Sequence, residues 1–336
     1  MEPCPGEAFL EVEINGKKAS SGRDILITED HADRRVDRIC RTLYRHVPLG
    51  AIMRSIRKGE VRLDGKRTKP DARPSLGQIL RVPWEEDAEK VISPKESDKK
   101  GKPRSSKEVS LPVLYQDEDL LVVNKPWGLL SQPDTKGGDS LITRVWEMVS
   151  LRRDFRPVPV HRLDRNTSGV LLVALKGPLL RELHSLWQGE GISKIYRVIV
   201  TGNPGEEGDL REPLRKSEKE NRVYVDSRKG VPAHTRYRRL GSHGRYSLLE
   251  VELLTGRPHQ IRVHLAHRGC PVVGDYKYGD EKINRSVRKQ GVCRPLLHAY
   301  SLALPPMVSP WELLSERIFT CSPPEDFAYL FSEDFV

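Results

Sequence analysis

The 336-residue sequence predicts an α+β protein: a large domain built on a mixed, largely antiparallel sheet, with a small basic domain ahead of it. Three observations carry that expectation. From Leu111 onward, short apolar runs such as LLVVNK, GVLLVAL, KIYRVIV, HTRYRRL and YSLLEVELL are separated by turn residues, with a few helical stretches among them, including SLITRVWEMVS and LLRELHSLW. Residues 85–108, EEDAEKVISPKESDKKGKPRSSKE, mix charges with Ser, Pro and Gly and hold almost no apolar side chains, so they cannot bury enough surface to fold alone. Before that stretch the charge is one-sided: between His31 and Pro83 there are 14 Lys and Arg against 5 Asp and Glu, in a chain whose net charge is +10. The organisation that follows is an N-terminal extension (1–24), a basic module (25–83), a charged linker (84–110) and a large domain (111–336).

Taken in order, residues 9–28 offer FLEVEI, a turn at Asn15 and Gly16, and then DILIT, the pattern of a hairpin. Between Arg34 and Val47, the apolar Val36, Ile39, Leu43 and Val47 recur at helical spacing, while Arg34, Arg38, Arg41 and Arg45 occupy other faces. One side of such a helix packs while the other meets anions. A second helix, AIMRSIRK, stops at Gly59; a basic ribbon turning at Asp64 and Gly65 follows, and the strand QILRVP closes the unit. Two short basic helices and a basic ribbon resemble the small RNA-binding module first known from a protein of the small ribosomal subunit. That resemblance covers about residues 25–83 and implies that Arg38, Arg57, Lys58, Lys66 and Arg67 contact RNA phosphates.

A surplus of 57 Lys and Arg over 47 Asp and Glu favours a polyanionic partner. The five cysteines, Cys4, Cys40, Cys270, Cys293 and Cys321, are scattered and form no CxxC pair, which fits reduced thiols rather than a disulfide framework or a zinc ribbon. No apolar window reaches membrane-span length, and the first residues lack a signal peptide's regions, so a cytoplasmic protein is expected. Phosphate-loop, dinucleotide-binding, HExxH and GxSxG motifs are absent.

Three polar clusters remain. In HRLDRNTSGV, residues 161–170, an extended HRLD points Arg162 and Asp164 to one side and Leu163 into the core. The hydroxyls of Thr167 and Ser168 are then expected to hold nearby amides. An aspartate is ionised at neutral pH and can serve as nucleophile or base; between two arginines it can equally be a structural ion pair. The second cluster, TGRPHQIRVHLAHRGCPVVGDYKYG, gathers Arg257, His259, Gln260, Arg262, His264, His267 and Asp275, polar groups that need partners if buried. Its histidines lack the cysteine or carboxylate that would complete a familiar metal set. The third is ISKIYRVIV, where Lys194 and Tyr196 project from one face of a strand; a lone tyrosine there is commonly core.

Together and in this order, YQDEDLLVVNKPWGLLSQP, HRLDRNTSGVLLVAL, KIYRVIVTG, KGVPAHTRYRRL, LLTGRPHQIRVHLAHRGCPVVGDYKYG and LLHAYSLAL resemble the successive signatures of the RluA family of RNA pseudouridine synthases. With the basic module ahead of them, the chain is most similar to the RluC type, which acts on large-subunit (23S) ribosomal RNA. The resemblance implies an isomerase that cuts the ribose–uracil N1 bond, turns the bound base and rejoins it through C5. It implies Asp164 as the catalytic aspartate, Tyr196 as the tyrosine stacked on the target base, and Arg262 as the arginine paired with the aspartate. Arg162 would fill the space of the extruded uridine, with His161, Arg257, His259, Gln260 and Lys125 also touching RNA. It further implies no metal, cofactor or cosubstrate, a monomer, and 23S RNA as partner, free or in an assembling large subunit. Trp127, Pro258 and Cys270 depart from the family's usual residues and bear on target choice more than on the reaction. Competing expectations are an RNA-binding factor without catalysis and a metal-dependent nuclease using the histidines.

Overall fold

The computed structural model describes residues 22–84, 111–134, 137–149, 155–189, 191–217 and 220–331. They fall into two compact units, one within residues 1–99 and one within 100–336. The FLEVEI half of the expected hairpin and the charged stretch 85–110 lie outside the described residues.

In the first unit, strand β1 (Arg23–Leu26) is followed by helices α1 (Val36–Leu43) and α2 (Leu49–Lys58), the short strands β2 (Arg62–Leu63) and β3 (Lys66–Arg67), and β4 (Ile79–Val82). The strand order is β1-β4-β2-β3, so the DILIT segment pairs antiparallel with β4. Ile27, Val36, Ile39, Ile52, Ile56, Val61, Leu80 and Val82 make the core, against which Trp84 packs. Helix α1 ends at Leu43, four residues before the periodicity suggests. Pro48 disfavours helical backbone at Val47, and Tyr44 leaves the helix to bury its ring 5.6 Å from that of Trp84. Gly59 caps α2 in left-handed backbone, φ 76°, and Asp64 and Gly65, both at positive φ, form the ribbon's tight turn.

The second unit runs β5 (Val113–Gln116), β6 (Leu120–Lys125), α3 (Leu141–Met148), β7 (Val158–Pro159), β8 (Ser168–Ala174), α4 (Gly177–Gln188), β9 (Ser193–Thr201), β10 (Glu207–Leu210), β11 (Leu214–Ser217), β12 (Arg222–Val225), β13 (Thr235–His243), β14 (Tyr246–Leu253), α5 (Gln260–His267), α6 (Glu281–Arg288), β15 (Leu297–Ala303) and β16 (Ile318–Thr320). Its main sheet has the order β10-β13-β14-β9-β15-β8-β6-β5, with β16 beside β15 and β7 beside β8. Every pairing in it is antiparallel except β8 with β15.

Alternation along the central strands feeds two cores. Leu121, Val123, Leu171, Val173, Tyr196 and Val198 face α3 and α5, while Leu120, Val122, Val170 and Leu172 face α4. The parallel seam depends on Gly169, whose φ is 121° and where a Cβ would lie 2.2 Å from the Ala299 carbonyl oxygen. The glycine of the TSG turn is therefore a requirement of strand approach. Hairpin β11–β12 stands apart from the main sheet as its own two-stranded ribbon.

Candidate active site

Asp164 lies in the irregular connection between β7 and β8 rather than in a strand, yet Leu163 turns into the core as the sequence suggests. Three clamps hold this connection. Buried Ser131 donates its hydroxyl to Leu163 O at 2.9 Å and accepts from Leu163 N at 3.1 Å. Gly128 N donates to Arg165 O at 2.8 Å, and Arg165 Nε returns a bond to Gly128 O at 2.9 Å. Lys125, with no exposed surface, donates to the carbonyls of Pro126, Arg165 and Thr167 at 3.0, 3.2 and 2.8 Å.

Lys125 is thus an internal brace, which corrects its assignment as an RNA contact. Burial pushes its ammonium down to about 7, against the pull of Asp164. Three carbonyls, one for each of its protons, favour the charged form. The hydroxyl of Ser168 does not hold a neighbouring amide as expected. It meets His298 Nδ1 at 2.9 Å and receives Arg294 at 3.3 Å, and Arg294 in turn forks onto Asp326 at 2.6 and 2.7 Å. Asp164 O accepts from Thr167 N instead, closing the turn through the backbone.

The second contribution comes from the start of α5. Gln260 is buried and spends its whole amide on the approach to the helix: Oε1 accepts from Thr255 Oγ1 and Arg257 N, and Nε2 donates to His234 O and Thr235 Oγ1. It too is structural, a correction to its expected contact with RNA. With that turn fixed, Arg262 reaches Asp164 Oδ2 with one terminal nitrogen at 3.1 Å, while its Nε and other terminal nitrogen bind both oxygens of Asp275 at 2.7 and 2.8 Å. Asp275 is completely buried and also accepts from the amides of Lys277 and Tyr278. Burial opposes the charge on Arg262, but the bonds and charge of Asp275, with Asp164 added, raise its pKa above the ordinary value.

Tyr196 enters from β9, opposite Val251 and Ala299, and is 8% exposed. Burial first, and the charge of Asp164 second, push its hydroxyl well above the ordinary value, so it stays a neutral phenol. His259 sits at the N-cap of α5 with its Nε2 3.9 Å from Asp164 Oδ2 and its Nδ1 2.7 Å from the Tyr278 hydroxyl. Burial, opposed by Asp164, holds its imidazole below the ordinary value, hence neutral at pH 7. Asp164, Tyr196, Arg262 and His259 therefore converge, although 98 residues separate Asp164 from Arg262 in sequence.

The remaining sequence candidates are dispersed. Arg162 is exposed and makes no hydrogen bond or ion pair with another described residue. Arg257 is exposed and donates Nε to Pro232 O. His161 is placed elsewhere: its ring stacks on Trp187 at 4.4 Å and its Nε2 accepts from Leu172 N, which corrects its expected contact with RNA. His264 is buried between Thr235 Oγ1 and Glu212 O, so the histidines do not converge. Trp127 stays half exposed above buried Arg294, whose guanidinium lies 5.8 Å from the indole centre. In the first unit Arg38, Arg57, Lys58, Lys66 and Arg67 are all exposed, and Arg67 lies over the C-terminus of α2, donating to Lys58 O. Sequence reasoning gave no role to Asp275, Ser131 or Tyr278. The charge inside VVGDYKYG was the available signal for Asp275, because a carboxylate in an apolar run needs a buried cation.

No group of three or more His, Cys, Asp or Glu among the described residues is arranged to hold a metal ion, and no described helix is long and apolar enough to cross a membrane. The RNA pseudouridylate synthase family pattern matches residues 119–267, the span that carries Asp164, Tyr196, His259 and Arg262. Ribosomal large subunit pseudouridine synthase C of Pasteurella multocida is 36% identical over 283 residues, covering 83% of this chain and 84% of that protein. The protein of the same name from Escherichia coli is 36% identical over 287 residues, covering 83% and 87%. Among solved structures, human RNA pseudouridylate synthase domain containing 4 matches with a TM-score of 0.53 at 26% identity, over 65% of this chain and 90% of that one. With a convergent Asp–Arg–Tyr site inside the matched span and relatives that align over most of both lengths, the chain belongs to the RNA pseudouridylate synthase family.

Proposed function

We propose that this protein isomerises specific uridines of large-subunit (23S) ribosomal RNA to pseudouridine, with Asp164 as the catalytic aspartate. The observation that carries the reading is the asymmetric grip on Asp164. Arg262 holds one carboxylate oxygen at 3.1 Å, while the other takes no hydrogen bond from a described residue and the side chain keeps 33% exposure. A charged, oriented carboxylate with one open oxygen can attack the sugar or the base, or remove a ribose proton. Tyr196 offers a buried ring face for the flipped uracil beside it, and the exposed Arg162 is available to enter the vacated stack.

The isomerisation leaves the atoms of the nucleotide unchanged in number and oxidation state, so it calls for no cosubstrate or redox group. Holding the detached base in place supplies most of the catalysis. The exposed cations of the first unit, Arg38, Arg57, Lys58, Lys66 and Arg67, provide phosphate contacts that help offset the cost of unstacking. On this reading the protein works as a cytoplasmic monomer on 23S RNA, free or within an assembling large subunit. The test is to map pseudouridine in large-subunit RNA from cells with the gene, without it, and with Asp164→Asn. Sites absent in the deletion should stay absent with Asp164→Asn; their return would overturn the assignment.

A further inference from the structure

His259 adopts left-handed backbone, φ 54° and ψ 18°, a conformation strained by roughly 1–3 kcal/mol in a residue other than glycine, and it does so at the lip of the candidate active site. The strain aims the ring. Its Nδ1 lies 2.7 Å from the Tyr278 hydroxyl, and that oxygen already accepts the amide of Val223 at 2.9 Å. The Tyr278 proton has no other acceptor among the described residues, so it is donated to Nδ1, and the imidazole proton is left on Nε2. Tyr278 is itself fixed: the guanidiniums of Arg222 and Arg262 each lie 5.1 Å from its ring centre.

Among the described residues, the Nε2–H so defined has no acceptor within hydrogen-bond reach. It stands 3.9 Å from Asp164 Oδ2, beyond hydrogen-bond reach, and that oxygen is already held by Arg262. A neutral donor is thus held open beside the reacting carboxylate, in a side chain still 18% exposed. When the glycosidic bond breaks, its electron pair leaves with uracil N1, and the charge spreads onto the uracil oxygens. Those oxygens are the acceptors that such a donor fits.

Resting on the isomerisation reading above, we propose that His259, locked by Tyr278, donates Nε2–H to a carbonyl oxygen of the detached uracil and retains the base while it turns. Losing that hold lets water take the place of uracil at ribose C1′, giving free uracil and an abasic site instead of pseudouridine. The experiment uses the full chain and an unmodified transcript of large-subunit ribosomal RNA, with single-turnover pseudouridine formation, free uracil and aniline-sensitive strand breaks all measured. Asn tolerates left-handed backbone and its shorter amide falls short of the Nε2 position, so His259→Asn removes the donor from that point and keeps the turn. It should form pseudouridine about 10- to 100-fold more slowly, the loss of one hydrogen bond to a charged group, and release uracil with matching strand breaks. Tyr278→Phe, which frees the tautomer but keeps the ring, should leak to a lesser degree. Wild-type rates in His259→Asn, or slowed rates without released uracil, would overturn the proposal. A wild-type protein that forms no pseudouridine would instead overturn the functional reading beneath it.

Discussion

Asp275 grips Arg262 through two hydrogen bonds of 2.7 and 2.8 Å and leaves the guanidinium one nitrogen, at 3.1 Å, for Asp164. The buried carboxylate fixes the arginine, and the arginine orients the open one. Arg262→Gln therefore does two things at once. It should lower unfolding free energy by about 3–5 kcal/mol, because Asp275 is left buried and charged, and slow pseudouridine formation by about 100-fold or more. Urea unfolding and single-turnover conversion measure the two effects separately.

Lys125→Met replaces the brace with a side chain of similar length that donates nothing. Pro126 O and Thr167 O lose the lysine as a partner, each worth about 1–3 kcal/mol when left unsatisfied, while Arg165 O keeps the amide of Gly128. The expected result is a loss of several kcal/mol in chemical denaturation. RNA affinity, measured where the variant remains folded, should change little, since the lysine has no exposed surface to offer.

His298 makes stability pH-dependent. Its Nδ1 accepts from Ser168 and its Nε2 donates to Cys321 O, a neutral pattern, and burial holds its pKa down to about 4. Unfolded, it titrates near the ordinary value of 6.5. The folded value is the depressed one, so the contribution is complete above pH 6.5 and is lost as pH falls toward about 4. Within that window the unfolded state binds the extra proton. Unfolding free energy should fall by about 1.4 kcal/mol per pH unit on this account, and His298→Gln should remove that slope.

The basic module should reveal itself through salt. Replacing Arg38, Arg57, Lys58, Lys66 and Arg67 by Gln in the full chain removes up to five cations that neutralise phosphates from exposed positions. The slope of log affinity against log salt should flatten by roughly 0.7–0.9 for each phosphate that is no longer neutralised. An unchanged slope in a filter-binding titration would place the RNA-binding surface elsewhere.

Much of this was legible because local chemistry and tertiary demand agree. Gly59, the Asp64–Gly65 turn and the apolar runs within Leu120–Lys125 and Ser168–Ala174 carry their own signals, and the structure uses them as such. Lys125 and Gln260 were misjudged because polar residues in a motif suggest ligand binding, whereas both are consumed by buried backbone groups that no sequence period marks. His161 was misjudged for a related reason: stacking on Trp187 is settled by a helix 26 residues away. Tyr278 went unnoticed because its value lies in a hydrogen bond to a strained histidine, and neither the strain nor the partner is written in local spacing.

The parallel seam of β8 and β15 sets the timing of competence during synthesis. Asp164 enters from the β8 side, Tyr196 and Arg262 from the β9 side, and β15 lies between them with Ala299 against Gly169. A growing chain that has made all its candidate catalytic groups by Arg262 still lacks the strand that brings them together. Nascent chains ending before Leu297 should therefore be inert, and the protein cannot act on RNA while its last strands remain inside the ribosome that is making it.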